Sequence, residues 1–312
     1  MLGTFLDKAA SLLDRQFLLA YWYPALLSLS LGLLLFSWPN EWNPLNEYFS
    51  ALQSGSFSSQ LMIILGTLLL TLFLAYLLQA FSLPFVQFWE GYWPESFWKW
   101  YMADNVEQNW KELKKKRVDA SSKNPILYAS LQEQLFYGYP SQKDRLLPTQ
   151  LGNIIRAAED YAQSRYGMDT VFWWPRLWLL LPESVKQQID SSLAPMIFLL
   201  NLTTQLGILS IIGSIYLFMQ YWGPWKLWAI PVSFTTLIVG ITLTTLTYRG
   251  ALYQAKAYGV LIRSAVDNYR FDLLKTLHQK IPKTLSDEKK LWEDLVRWIY
   301  LNEQRKAPFY EP

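Results

Sequence analysis

The chain has 312 residues, of which 52% are hydrophobic, 17% aromatic and only 17% charged, and its formal net charge at pH 7 is +3. Soluble domains carry about 25% charged residues, so this deficit, with a mean hydropathy of only +0.07, indicates a membrane protein with large water-facing parts. The lack of Cys excludes a disulfide scaffold and a thiolate metal site, and so small a net charge does not by itself imply a nucleic-acid partner.

Four long uncharged stretches predict membrane-spanning helices, because a bilayer core needs about 20 consecutive apolar residues in a helix. In chain order these stretches run for 25, 42, 35 and 22 residues without a charge. The predicted spans within them are about 17–38, 61–82, 193–219 and 227–248.

The positions of Lys and Arg predict which side of the membrane each segment faces, because cytoplasmic segments carry an excess of them. The segment 83–192 has 13 of the 28 basic residues and the tail 249–312 has 12, whereas the loop 39–60 has none. We therefore expect an all-α integral membrane protein with both termini in the cytoplasm. Its domains would be a first transmembrane hairpin (1–82), a cytoplasmic helical region (83–192), a second transmembrane hairpin (193–248) and a cytoplasmic helical tail (249–312).

Two patterns in the region 83–192 provide candidate contact residues. The segment 86–102 is rich in Trp and Tyr, which is typical of a membrane interface, and it directly follows the second span. The basic run after it is typical of a solvated helix end or of a contact with anionic lipid, and a nucleotide or nucleic acid is the alternative. Three spaced arginines further on either hold an anion or pair with the acids beside them. The candidate cytoplasmic ligand or lipid contacts are Lys114, Lys115, Lys116, Arg117, Arg156, Arg165 and Arg176.

The fourth span is predicted to continue into the cytoplasm as one helix. Beyond it, apolar and small residues recur at spacings of 4, 3, 4, 3 and 4, which predicts packing along another helix. The packing partner is either the chain's own region 83–190 or a neighbouring subunit, and the spacing is compatible with both. The residues of this packing stripe are Ala255, Gly259, Ile262, Val266, Tyr269 and Leu273.

The predicted spans contain neutral polar residues and no ionisable ones, which argues against a coupled transporter or a proton pump. Small and hydroxyl residues are typical of helix–helix contacts in lipid, and the alternative is the lining of a pore shared by several subunits. The candidate pore-lining residues are Asn201, Thr204, Gln205, Thr235, Thr242, Thr245 and Arg249. The sequence has no glycine-rich phosphate loop and no nucleophile elbow, so we expect no catalytic site, metal or other cofactor.

Two segments resemble a group of bacterial membrane proteins: RLLPTQLGNIIRAAEDYAQSRYGMDTVFWWPRLWLLLP (145–182) and AYGVLIRSAVDNYRFDLLKTL (257–277). The resemblance covers about a fifth of the chain. It implies a protein of the bacterial cytoplasmic membrane and carries over no functional residue. The layout of hairpin, cytoplasmic block, hairpin and tail is also similar to that of several oligomeric channels and of four-span effectors in bacterial antiviral systems, although layout is a weak guide to function.

The sequence therefore favours an oligomeric channel or pore-forming protein that is gated through its cytoplasmic domain, of the type of the antiviral membrane effectors. The first alternative is a non-conducting scaffold or receptor that recruits a cytoplasmic partner. The second is a membrane-embedded enzyme acting on lipids at the aromatic segment, through Glu90, Glu95 or Asp104. The expected partners are the lipid bilayer, further copies of the chain, and a cytoplasmic protein, nucleotide or nucleic acid.

Overall fold

The computed structural model describes residues 15–37, 44–94, 97–221 and 226–303, and every regular element in these ranges is a helix, as predicted. One α-helical turn (Arg15–Phe17) and one π-helical turn (Leu18–Trp22) precede the first long helix, and a short 3-10 helix occupies Lys143–Arg145. The longer helices are α1 (Tyr23–Ser37), α2 (Pro44–Ser54), α3 (Phe57–Ala80), α4 (Ser82–Glu90), α5 (Phe97–Ala120), α6 (Pro125–Gly138), α7 (Gln150–Tyr166), α8 (Thr170–Leu180), α9 (Glu183–Tyr221), α10 (Lys226–Thr276) and α11 (Leu285–Leu301).

Four stretches are long and apolar enough to cross a membrane, which confirms that part of the prediction. They are Leu18–Ser37, Phe57–Ala80, Glu183–Gln220 and Ile230–Thr276. The last two exceed the predicted spans because α9 and α10 continue without a break into more polar sequence. The 51 residues of α10 extend for about 75 Å, more than twice the ~30 Å of a hydrocarbon core.

The chain divides into two compact units. The apolar unit consists of Met1–Val86 and Ala194–Ala251, and the polar unit consists of Gln87–Leu193 and Leu252–Pro312. Helices α9 and α10 each contribute residues to both units.

In the apolar unit, small residues let the helices approach closely, as is typical of helix packing in membranes. A Cβ on Gly240 of α10 would overlap the side chain of Ser210 on α9. A Cβ on Gly213 of α9 would lie 2.6 Å from Cδ1 of Leu35 on α1. These two glycines therefore set the spacing of α9 from both of its neighbours.

Pro24 creates a polar requirement inside this unit. Ala20 lies in the π-helical turn Leu18–Trp22, and Pro24, which follows this turn, has no N–H to donate to the Ala20 carbonyl. Asn201 of α9, which is only 1% exposed, donates its Nδ2–H to that carbonyl at 2.8 Å instead. One turn further along α9, Gln205 accepts a hydrogen bond from Ser28. Because an unpaired carbonyl in hydrocarbon costs several kcal/mol, the Asn201 bond fixes α9 against the beginning of α1.

The segment 39–60, which the sequence analysis treats as a loop, contains helix α2 over Pro44–Ser54. The hydroxyl groups of Tyr48 in α2 and Thr67 in α3 lie 3.3 Å apart. Gln60 donates to the carbonyl of Leu52 at 2.8 Å and so satisfies one of the free carbonyls at the end of α2. These side chains hold α2 on α3, and their positions follow no regular sequence period.

The polar unit has a core of buried apolar residues from α7, α8, α10 and α11. At its centre the rings of Trp173 and Trp292 meet edge to face, with centroids 5.1 Å apart. The packing stripe of α10 belongs to this unit, and a Cβ on Gly259 would lie 3.1 Å from Cβ of Ala158 on α7. Within one chain the stripe therefore contacts α7 of the region 83–190. Its buried members are Ala255, Gly259, Ile262, Val266 and Leu273, and Tyr269 is half-buried.

The contact between Asn201 and Ala20 predicts a rescue between two substitutions. Asn201→Leu removes the Nδ2–H donor from the Ala20 carbonyl, and we expect it to lower the free energy of unfolding by about 1–2 kcal/mol. Pro24→Ala supplies a backbone N–H to the same carbonyl, so Asn201→Leu should cost clearly less in that background. Unfolding of the detergent-solubilised protein, followed by circular dichroism for both single variants and the double variant, measures the difference.

Thr236→Val serves as the control, because the Thr236 hydroxyl donates to the Val232 carbonyl of its own helix. Its cost should not depend on whether residue 24 is Pro or Ala. Strict additivity of Asn201→Leu and Pro24→Ala would show that the two residues do not share the Ala20 carbonyl.

Candidate functional site

Ionisable side chains gather in the polar unit where the end of α4 meets the beginning of α7. A Cβ on Gly152 of α7 would overlap the Glu90 carbonyl, so only glycine allows this approach. Gly91 has φ +90°, a conformation that favours glycine, and a Cβ there would lie 2.7 Å from Cγ of Pro148. Two glycines thus bring Glu90 against the first turns of α7.

The group at this junction, here called the Glu90 cluster, comprises Glu90, Tyr92, Arg156 and Glu159. Arg156 donates from Nη2 to the hydroxyl of Tyr92, and its Nε lies 3.7 Å from Oε2 of Glu159. Arg156 Nε is buried and makes no hydrogen bond among the described residues. The cluster therefore contains two carboxyl groups but only one guanidinium group to neutralise them.

Burial is the main cause of the shifted pKa values of the two glutamates in this cluster. Burial, reinforced by the nearby Glu159 carboxylate and opposed by Arg156, raises the pKa of Glu90 to about 7. Burial also raises the pKa of Glu159, and here too Arg156 acts in the opposite direction. Glu90 therefore changes charge near neutral pH, whereas an ordinary glutamate is fully ionised there.

Glu159 also lines a polar cleft of about 600 Å³. Arg145 at its wall donates two hydrogen bonds to Asp160, at 3.1 and 2.6 Å, and Arg297 pairs with Glu293 at 2.7 Å. Both arginines of the cleft thus have carboxylate partners, and the lining also includes amide and hydroxyl groups and the carboxylates of Glu159 and Asp169. The cleft therefore suits a small polar ligand. No group of three or more His, Asp or Glu side chains in the described ranges is arranged to hold a metal ion.

The structure divides the predicted pore-lining residues into two sets. Asn201 and Gln205 bond to α1, and Thr204, which is half-buried, donates to the Leu200 carbonyl at 2.9 Å. These three residues make contacts within one chain, so we do not include them in the pore lining proposed below. The second set lies exposed on one face of α10 and consists of Thr235, Thr242, Thr245 and Arg249.

The exposed threonines are here called the Thr face. Thr242 and Thr245 lie opposite the side of α10 that packs on α9, and Thr235 also borders an apolar groove lined by α1 and α9. At 100° per residue, Thr242 is about 160° from Gly240, which faces Ser210. The hydroxyls of Thr235, Thr242 and Thr245 donate to the carbonyl four residues earlier, at 2.7, 2.8 and 2.8 Å. Their hydrogens are thus committed, and their oxygen lone pairs point outward as acceptors.

The basic run lies on α5, where most of its side chains have local partners. Lys114 Nζ sits 3.5 Å from the ring centroid of Trp110, and Arg117 donates to Gln132 of α6 at 2.9 Å. Lys116 pairs with Glu112 at 2.6 Å, and Lys115 is exposed. The run therefore lies along a helical hairpin made of α5 and α6.

The structure does not bring the three spaced arginines together. Arg156 belongs to the Glu90 cluster, and Arg165 lies nine residues later on α7, which turns it to the opposite face of that helix. Arg176 donates to the Phe172 carbonyl at 2.9 Å and lies over the Phe172 ring at 4.4 Å. The three arginines thus lie in different local environments, as expected when neighbouring acids and carbonyls compete for each guanidinium group.

Sequence reasoning missed the cluster, although it named Glu90 as an acidic group for the lipid-acting alternative. The available signal was a single acid inside the aromatic run VQFWEGYW (86–93), followed at once by a glycine. Of the other two acids named with it, Asp104 is exposed and accepts a hydrogen bond from Gln108 at 3.0 Å, and Glu95 lies outside the described residues.

Comparison of the chain with protein-family models, with curated proteins and with solved structures finds no match. The function therefore has to be argued from the chain itself.

The pKa of Glu90 predicts how stability depends on pH. Its folded-state pKa of about 7 exceeds its ordinary value of 4.5, so the folded protein holds a proton that the unfolded chain releases. Stability falls as pH rises from about 4.5 through 7, by up to roughly 3 kcal/mol. Glu90→Gln has no proton to lose, so we expect it to be more stable than the wild type at pH 8 and of similar stability at pH 4.5. Thermal unfolding in detergent across this pH range measures the difference.

Glu133→Gln, which changes an exposed glutamate on α6, is the matched control and should leave the pH profile unchanged. If Glu90→Gln were instead less stable than the wild type at pH 8, Glu90 would have to be an ionised partner of Arg156. The burial argument would then be wrong.

Proposed function

We propose that the protein is an oligomeric channel of the bacterial cytoplasmic membrane, gated through its polar unit. One observation carries the proposal: α10 is a single uninterrupted helix that presents the exposed Thr face in the apolar unit and is held by the core of the polar unit. A change in the polar unit that shifts or rotates α10 would thus act directly on the Thr face.

The proposed topology is two hairpins, with the polar unit and both termini in the cytoplasm. Contacts between Trp22 and Thr71, and between Phe17 and Tyr76, support an antiparallel pairing of the first two spans. Thr203–Thr247 and Ser210–Gly240 contacts support the same for the last two. The excess of Lys and Arg in 83–192 and 249–312 supports the cytoplasmic side.

The proposed pore lies on the symmetry axis of several subunits, because the four spans of one chain are too few to enclose a wide aqueous path. The Thr face would line it. Outward-pointing hydroxyl oxygens can replace water around a cation, and the exposed Ile238 and Ile241 between the threonines provide hydrophobic constrictions. This arrangement needs no ionisable group within the bilayer and no catalytic chemistry.

The proposed gate runs from α7 to α10. The polar cleft and the Glu90 cluster both include side chains of α7, and Ala158 of α7 contacts Gly259 of α10. A ligand in the cleft, or a charge change at Glu90, would therefore displace the helix on which α10 rests.

Conductance of a paired substitution on the Thr face tests the proposal. We expect Thr242→Leu with Thr245→Leu to form the same oligomer and to lower single-channel conductance at least about tenfold, because the lining loses its hydrogen-bond acceptors. Mass photometry of the nanodisc-embedded protein should show a closed ring of at least four subunits. Planar-bilayer recordings of the reconstituted protein measure the conductance.

Thr236→Val is the matched control, since it removes a hydroxyl of α10 that lies outside the Thr face and should keep most of the conductance. A monomer or simple dimer, or unchanged conductance in the double variant, would contradict the proposal. A stable ring without conductance would favour a scaffold or receptor that recruits a cytoplasmic partner.

A further inference from the structure

The turn between α5 and α6, together with the helix ends beside it, exposes unusually large apolar side chains for a surface. Ile126 is 85% exposed, Val118 is 61% exposed, and Leu127 and Tyr128 are also exposed. The backbone that carries Ile126 and Leu127 is held in place, because Asn124 caps α6 and accepts a hydrogen bond from the Leu127 N–H at 3.0 Å. The segment 110–128, here called the hairpin tip, therefore presents an ordered apolar surface to its surroundings.

The hairpin tip is also strongly basic. It contains six cations, Lys111, Lys114, Lys115, Lys116, Arg117 and Lys123, against two acids, Glu112 and Asp119, so its net charge is +4. The whole chain has a net charge of only +3. The positive charge of the protein is thus concentrated next to its exposed aliphatic side chains.

The opposite end of the hairpin is anchored to α10. Arg263 of α10 is only 6% exposed and donates from Nη2 to the Phe136 carbonyl, in the last turn of α6, at 2.9 Å. Its guanidinium also lies 4.4 Å from the ring centroid of Phe136 and 5.0 Å from that of Tyr137. A cation is favoured there because the carbonyl end of a helix is negative. The hairpin is therefore an arm with a buried root and an exposed tip.

We propose that the hairpin tip docks on the anionic surface of the bilayer that contains the spans. Stable attachment to a membrane surface takes an apolar insertion together with a basic patch, and the tip supplies both. Its charge complements anionic headgroups, and Ile126 with Leu127 would enter the acyl boundary. The proposal is independent of conduction, since it requires only that the spans lie in a membrane.

A probe at the tip of the full chain tests this directly. The protein has no Cys, so Ser122→Cys provides a single exposed labelling position between α5 and α6. The variant, labelled with an environment-sensitive fluorophore, is placed in nanodiscs of phosphatidylcholine alone or with added phosphatidylglycerol. Lipids brominated on their acyl chains quench a fluorophore that lies at the bilayer. We expect quenching in the anionic discs and little in the neutral ones.

Two variants test the basic and the apolar parts of the hairpin tip separately. Lys115→Gln with Lys116→Gln should lower the ratio of docked to free tip about thirtyfold in anionic discs. Ile126→Asp should abolish quenching without harming the fold, because that side chain packs on little. Lys283→Gln with Lys290→Gln, which removes two exposed cations before and within α11, should leave quenching unchanged.

A tip that is unquenched in both kinds of disc would overturn the proposal, and so would quenching that is equal in both and unaffected by the variants. Protection of the fluorophore only when a second protein is present would assign the tip to a protein partner instead. The channel proposal would survive any of these results, since its own test is conductance through the Thr face.

Discussion

The apolar unit depends on a single requirement, that every backbone carbonyl within the bilayer finds a hydrogen-bond donor. Pro24 removes the donor for Ala20, and Asn201 replaces it. Tyr216 donates to the Phe36 carbonyl at 3.1 Å, and Ser214 to the Ser233 carbonyl at the same distance. All three donors project from α9, which therefore bonds to α1 on one side and to α10 on the other. These three side chains of α9 thus hold neighbouring helices together, whereas Thr242 and Thr245 on the far side of α10 donate within their own helix.

Helix α10 experiences two environments along its length. In the apolar unit it is packed on one side and exposed on the other, whereas in the polar unit its stripe is enclosed by the core around Trp173 and Trp292. The helix is continuous through both units, so one backbone hydrogen-bond ladder joins its two parts. Arg263 ties the α5–α6 hairpin to the same helix. The cleft, the hairpin tip and the Glu90 cluster are thus all connected to α10. The hairpin contacts α10 directly, and the cleft and the cluster include side chains of α7, which packs on α10.

The sequence predicts well those features that depend on local composition and period. The four spans and the α10 stripe follow from runs of apolar residues and from heptad spacing. The Glu90 cluster is different, because it arises where two glycines let α4 and α7 touch, and contacts between distant segments leave no periodic signal. The same limit applies to Asn201. An asparagine is equally compatible with a pore lining and with a helix–helix contact, and only its three-dimensional position relative to Pro24 distinguishes the two roles.

The bond between Asn201 and Ala20 joins residues that are 181 positions apart in the chain. A ribosome adds about 5–20 residues per second, so the first span leaves it about 10–40 s before its donor is made. During that interval the Ala20 carbonyl lacks its Asn201 donor. The first span consequently has reason to stay near the polar interior of the insertion site until α9 arrives. Assembly of this protein would then couple membrane insertion of the first helix to synthesis of the ninth.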